Sequence, residues 1–250
     1  MVGAPMSLVI TKAIKLIELV AAGTDTLGGI ASAADMSRST AHRLLATLVE
    51  HHYLSFEARR YALGYRLLEL GEQKKRSLSF VEVLRPLLIR YAEQTSDTIH
   101  LAILDGTDIV VIERAPGNRQ LQINSFVGQR SPALLTAVGK ALVSALPTDD
   151  WKGFLKQLPP DPPKSAEQLR RELTAARERH FASDYNECDV GTCGVASTFL
   201  IDGKVRIAVS INGATVYFEN GRLEEMGQTA QRLATELERA AAGLRIGTIR

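Results

Sequence analysis

Cysteine is almost missing from this chain of 250 residues: only Cys188 and Cys193 occur, too few for a disulfide framework. A reducing, cytoplasmic setting is therefore expected. Long apolar runs are missing as well. No stretch reaches the roughly 18 residues a membrane-spanning helix needs, so no membrane partner is expected. The opening segment, MVGAPMSLVITK, has no basic region ahead of an apolar core, which argues against export. Strong charge of one sign is lacking too, the formal net charge being +2. What remains is 45% hydrophobic and 23% charged residues, the balance of a soluble globular protein able to bury a core. The length suits one large domain or two smaller ones.

The small net charge is unevenly spread. Residues Met1 to Ser77 carry ten Lys and Arg against seven Asp and Glu, while the rest of the chain carries 20 bases and 21 acids. A mildly basic head on a neutral body suits a polyanionic partner, although charge alone is a weak sign.

That head holds the sharpest local pattern. In MSRSTAHRLLATLVEHHYL, Ala41, Leu44, Leu45, Leu48 and Val49 follow one face of an α-helix. Ser37 is the natural N-cap, its oxygen serving the free N–H groups of the first turn. Arg38, Ser39, His42 and Ala46 point the other way. Upstream, Thr26 caps a short helix through Ala34 with Ile30 and Ala33 turned inward. Leu16, Ile17, Leu19 and Val20 mark a first helix from about Thr11 to Ala22. Tyr53, Leu54 and Phe56, then Tyr61 and Leu63, read as two short strands joined by a turn bearing Arg59 and Arg60. Three helices and a basic-tipped hairpin form a winged helix-turn-helix. Ser37, Arg38, Ser39, Thr40, His42 and Arg43 are then placed to reach base edges and phosphates in a major groove. Arg59 and Arg60 would grip the backbone, positioning the domain without specifying sequence. Periodicity alone fits a plain three-helix bundle equally well; the acid-free first two turns and the basic hairpin favour DNA.

These stretches resemble a known family. SRSTAHRLLATLVEHHYL followed by YALGYRLLELG is similar to the DNA-binding half of the IclR family of bacterial transcription regulators. SPALLTAVGKALVSALP and RERHFASDYNECDVGTCGVASTFLIDGKVRIAVSING are similar to that family's effector domain, in the same order. The resemblance implies a sequence-specific, double-stranded DNA-binding repressor or activator controlled by a small molecule, with no catalytic role, cofactor or metal.

The joint between the halves is also readable. Leu67, Leu68 and Leu70 begin a helix that EQKKRSLS interrupts, and Ser79-Phe80-Val81-Glu82 has capping-box spacing. Pro86 should kink the following helix or shift its start. The expected domains are 1–66 (winged helix-turn-helix), 67–78 (linker helix) and 79–250 (effector binding and oligomerisation). In the last, TIHLAILDGTDIVVIERA reads as two strands about Asp105-Gly106, LQINSF as a third, and CGVASTFLIDGKVRIAVSIN as a hairpin about Asp202-Gly203. Helices are expected from Thr136 to Leu146, Ser165 to Arg179 and Glu219 to Gly243. A mainly antiparallel sheet flanked by helices is an α+β fold; the resemblance makes it GAF-like, with a ligand cavity between sheet and loops.

By the same resemblance the family's effector contacts fall on Ile123 to Phe126, with Ile123 and Phe126 foremost, and on Ser131, Ala137, Val138, Asp184, Cys193, Gly194, Ser210 and Asn212. Some relatives carry cysteine at the position of Gly194 and serine at that of Asn212. Ala137 and Val138 open a helix, where free N–H groups favour a carboxylate, so an organic or aromatic acid is the expected effector. Other chemistry is weaker. Cys188 and Cys193 with His180 nearby match no usual zinc spacing, and Gly139-Lys140 lacks the spacing of a phosphate loop. His100, in an alternating strand, reads as a satisfied structural residue. A small-molecule enzyme with a vestigial DNA domain and a purely structural module remain as alternatives. A single winged domain makes few contacts, so a homodimer or tetramer joined through the first and linker helices is expected.

Overall fold

The computed structural model describes residues 7–244; residues 1–6 of the segment weighed above for export lie outside it. The chain divides between Leu78 and Ser79 into two compact units.

In the first unit, α1 (Leu8–Ala21), α2 (Leu27–Ala33) and α3 (Arg38–Glu50) precede a hairpin of β1 (Leu54–Glu57) and β2 (Arg60–Leu63), and α4 (Tyr65–Arg76) follows. Local chemistry sets these boundaries. Thr26 Oγ1 accepts the Gly29 N–H, and Ser37 Oγ accepts the Thr40 N–H at 3.2 Å, so both helices start where the cap residues stand. Between them Asp35 takes a left-handed conformation (φ 52°) and the Met36 N–H returns to the Ala31 carbonyl. Leu16, Val20, Ile30, Ala34, Leu45, Leu54 and Tyr61 close one small core. The hairpin turn is Ala58-Arg59, both at positive φ, and Arg60 already belongs to β2 opposite Glu57. The expected turn thus carries one arginine rather than two. Where β2 leaves for α4, a Cβ on Gly64 would stand 2.0 Å from the His52 carbonyl oxygen, so only glycine passes there.

In the second unit, α5 (Phe80–Thr95) leads into β3 (Thr98–Asp105), β4 (Asp108–Ala115) and β5 (Arg130–Pro132). Then come α6 (Ala137–Ser144), α7 (Trp151–Leu155), α8 (Ala166–Arg179), β6 (Ala182–Tyr185), β7 (Thr192–Ile201), β8 (Val205–Ala214) and α9 (Arg222–Ala240). The strands form one antiparallel sheet in the order β5-β4-β3-β8-β7-β6. Ile207 to Ile211 on central β8 are all fully buried, as a strand covered on both faces requires. Ala102, Ala196 and Ala208 pack against Ala141 and Leu142 of α6 with Leu169 and Leu173 of α8. The small side chains let α6 lie close to the sheet. The fold is α+β, as expected.

Several local expectations change. LQINSF forms no strand: the Leu121 N–H donates to Tyr217 Oη, Gln122 Nε2 to the Gly117 carbonyl and the Phe126 N–H to Gln129 Oε1. With these groups engaged by turns and side chains, the ladder continues instead at β5. Ser79 is itself in helical conformation and caps nothing, so the expected capping box is absent there. Both bonds of a capping box form at Ser165 and Gln168, ahead of α8. Pro86 sits inside α5 without moving its start. α9 begins at Arg222, after Gly221 at φ 83°, and α7 had no expected counterpart.

Candidate functional site

On the first unit, α3 presents its polar end outward. Arg38, Ser39, His42 and Arg43 are exposed, and among the described residues Arg38, Arg43 and Arg59 have no acidic partner. Ser37 Oγ lies 2.9 Å from Thr40 Oγ1 and 3.1 Å from Ser39 Oγ, so both Ser37 and Thr40 serve the start of the helix as well as facing solvent. Arg38, His42, Arg59 and Arg60 share a groove between α3 and the hairpin, floored by Phe56 and Tyr61, whose rings pair across the strands at 4.6 Å. Ser39 and Arg43 stand outside that groove. Arg60 is held by Asp25 and so is less free for a phosphate than Arg59. Glu50 also lines the groove, so its basic side is the Arg38, His42 and Arg59 edge, which with the adjacent helix start offers the free donors that phosphate oxygens need.

On the second unit, a cavity of about 360 Å³ opens between the sheet, the start of α6 and the loop ahead of β7. Ile109, Val111, Ile123, Ala137 and Val138 provide apolar wall. The polar wall begins at His100 on β3. Asn212 Nδ2 donates toward the Thr98 carbonyl and to Ser210 Oγ at 2.6 Å, and it faces His100 Nδ1 at 3.2 Å. That assigns Nδ1 as acceptor and Nε2 as donor, the latter to Ser125 Oγ at 2.8 Å. Ser125 Oγ also accepts from Arg114 Nε at 3.0 Å, which leaves its own proton uncommitted. Burial, with Arg114 nearby, lowers the His100 pKa to about 4, so the imidazole is neutral at physiological pH.

Asp184 on β6 faces this chain. Its Oδ2 accepts the Ala137 N–H at 2.9 Å, and burial, outweighing that bond, raises its pKa to about 7. Thr136 Oγ1 takes the Gly139 N–H at 3.1 Å. The first turn of α6, from whose free donors an acid ligand was expected, is therefore partly satisfied from within. Below Asp184, Lys140 is fully buried and binds Glu172, Glu187 and the Ser183 carbonyl, while Lys164 completes the same group through both glutamates. Two ammonium and two carboxylate groups neutralise one another there, and neither lysine lines the cavity.

Seven residues expected in the cavity line it: Ile123, Ser131, Ala137, Val138, Asp184, Cys193 and Asn212. Three do not. Phe126 is 63% exposed; Ser210 is fully buried and supports Asn212; Gly194 lies beneath the Asn212 amide. Asn124 and Ser125, from the expected segment Ile123 to Phe126, line it too, and His100, Gln129, Thr136, Cys188, Asp189 and Thr192 line it without having been expected. Burial pushes the Cys193 thiol up to about 12 and raises that of Cys188, so both stay protonated at neutral pH and are poor nucleophiles. His180 closes α8 in a left-handed conformation and lines a different groove, so the Cys–His grouping is not assembled. No set of three or more metal-ligating side chains gathers among the described residues.

Comparison with known proteins agrees with this geometry. Residues 9–58 match the IclR helix-turn-helix domain and residues 74–239 the bacterial transcriptional regulator IclR C-terminal domain. The HTH-type transcriptional regulator XynR of Escherichia coli (strain K12) is 30% identical over 213 residues, spanning 82% of this chain and 84% of its own. The crystal structure of the Thermotoga maritima IclR superposes with a TM-score of 0.71 at 26% identity, covering 92% of this chain and 97% of that one. An IclR homolog from Microbacterium hydrocarbonoxydans, solved with 4-hydroxybenzoate, shares the fold at a TM-score of 0.77 and 22% identity, covering 94% and 99% of the two chains. With both domains matched in order over most of its length, the chain belongs to the IclR family of bacterial transcriptional regulators.

Proposed function

We propose that this protein is a cytoplasmic, sequence-specific regulator whose grip on promoter DNA responds to a small molecule held in the second unit. The observation that carries the DNA half is the exposed, acid-free start of α3, where Arg38, beside the Arg59 hairpin tip, and Arg43 have no acidic partner among the described residues. Ser37 and Thr40 fix the helix end, Ser39, His42 and Arg43 meet the groove, and Arg59 with Arg60 holds the backbone.

The sensing half rests on the cavity, which is of ligand size and combines apolar walls with a few placed polar groups. A small aromatic compound fits that volume, and the homolog solved with 4-hydroxybenzoate supports the class. With domain limits of 1–66, 67–78 and 79–250, most of α4 falls in the linker, and α4 is the transmitting element in this reading. Exposed Leu8, Val9, Ile10 and Ile14 on α1, with Tyr65 (84% exposed) and Leu68 on α4, offer the apolar surface of a homodimer, from which a tetramer would assemble.

The deciding experiment is binding to the protein's own upstream promoter fragment at several salt concentrations, with and without Arg38→Ala plus Arg43→Ala. Tight, salt-sensitive binding lost in the double variant supports the reading. Equal binding by the variant refutes this assignment of the reading face.

A further inference from the structure

Three residues lie in one row across the sheet: Asp184 on β6 pairs with Gly194 on β7, which pairs with Asn212 on β8. Side chains in such a row share a face, and the middle one is missing. A Cβ at Gly194 would stand 2.4 Å from Asn212 Oδ1 and 3.3 Å from Asp184 Oδ2, so the absent side chain leaves a notch that the Asn212 amide oxygen leans into, with the Asp184 carboxylate at its side. Both residues line the cavity. The Asn212 amide nitrogen is committed to Ser210, His100 and Thr98, which turns its oxygen toward the notch. Asp184 Oδ2, the carboxylate oxygen nearer Gly194, already accepts the Ala137 N–H, while among the described residues no donor reaches Asn212 Oδ1 or Asp184 Oδ1. No Lys or Arg lines the cavity: Lys140 and Lys164 are held by Glu172 and Glu187, and Arg114 by Ser125.

Two converging acceptors that each keep an unpaired oxygen, with no Lys or Arg beside them, favour a donor from the ligand. We propose that the notch over Gly194 selects effectors presenting a hydroxyl or ammonium group to Asn212 Oδ1 and the Asp184 carboxylate, and that a carboxylate as the only polar group is refused there. This rests on reading the cavity as the effector site. The Gly194–Asn212 pair is the specificity determinant: any side chain at 194 displaces the amide and fills the notch. Protonated Asp184 could itself donate, so selection is sharpest above its pKa of about 7.

The test compares benzyl alcohol, benzylamine and benzoate, which share a ring and differ at the polar end, by calorimetry and thermal shift on the full-length protein at about pH 8. The alcohol and the amine should bind more tightly than benzoate by about tenfold or more, the cost of leaving a buried acceptor unpaired. Asp184→Asn should shrink the amine-to-benzoate ratio by a similar factor. Gly194→Ala should abolish binding of both donor probes, with circular dichroism reporting its fold. If that variant fails to fold, Gly194→Ala with Asn212→Ser removes the colliding amide and should still bind the donor probes poorly. Benzoate binding the wild type best overturns the proposal while leaving the effector site standing. Silence of all three probes overturns both.

Discussion

Replacing Asp184 by Asn should stabilise the protein at pH 8 and leave it unchanged near pH 4. The carboxyl is buried, and its pKa is raised from 3.8 to about 7. The unfolded chain releases this proton near pH 3.8 and the folded chain only near pH 7. Between those values the native state binds more protons, so stability falls as pH rises and stays low above 7. At 1.36 kcal/mol per pKa step the full penalty is about 4 kcal/mol. The amide that replaces the carboxylate would still offer an oxygen to the Ala137 N–H, so the bond that starts α6 survives while the charge goes. At about 2–4 °C per kcal/mol for a chain of this size, the variant should melt roughly 10 °C higher at pH 8. His100 works in the opposite sense. Its pKa is lowered from 6.5 to about 4, so its contribution is present above 6.5 and is lost as pH falls toward 4, by about 3 kcal/mol. The two slopes largely offset each other in the wild type between pH 4 and 6.5. Asp184→Asn should uncover the rising limb. Differential scanning calorimetry of both proteins from pH 4 to 8 reads this directly. An equal difference in melting temperature at every pH, or a variant less stable at pH 8, would refute the argument.

Four further outcomes are expected. Lys140→Met should cost roughly 3 kcal/mol in denaturant unfolding by leaving Glu187 buried with less compensation, and adding Glu187→Gln should recover part of it. Ser165→Ala should remove the side-chain cap of α8, breaking its capping box, and cost about 1 kcal/mol, measurable by thermal melting. Arg59→Ala should weaken promoter binding similarly for all sequences and reduce its salt dependence, while Arg43→Ala should also relax sequence preference in a competition assay. A flexible insertion after Ser77 should abolish the effector's influence on DNA affinity without preventing DNA binding; an unchanged response would exclude α4 as the transmitter.

What could be read early was local. The caps at Thr26 and Ser37, the apolar stripe of α3, the start of α8 at Ser165 and the hairpin about Asp202-Gly203 depend on residues a few positions apart, and the chain forms them where expected. The family resemblance supplied about half of the cavity wall. The errors were local rules overruled by neighbours: LQINSF has strand composition but its polar groups are engaged by turns and by side chains such as Tyr217, and Ser79 has capping spacing but a helical backbone conformation in which its side chain makes no cap bond.

The cavity's chemistry needed the sheet. His100 meets Asn212 because β3 pairs with β8 across more than a hundred residues, and no periodicity within either segment encodes that register. Lys140 is buried because Glu172 and Glu187, on α8 and the loop after β6, converge on it. The notch over Gly194 exists only as a row of three strands. Capping and hydrophobic periodicity act within a turn or a strand, so the helix starts at Thr26, Ser37 and Ser165, the basic end of α3 and the α+β class were already written in the order of the residues. Which polar atoms of the cavity are satisfied and which are left open was written nowhere along the chain. Their partners arrive from distant strands, and that balance is a property of packing.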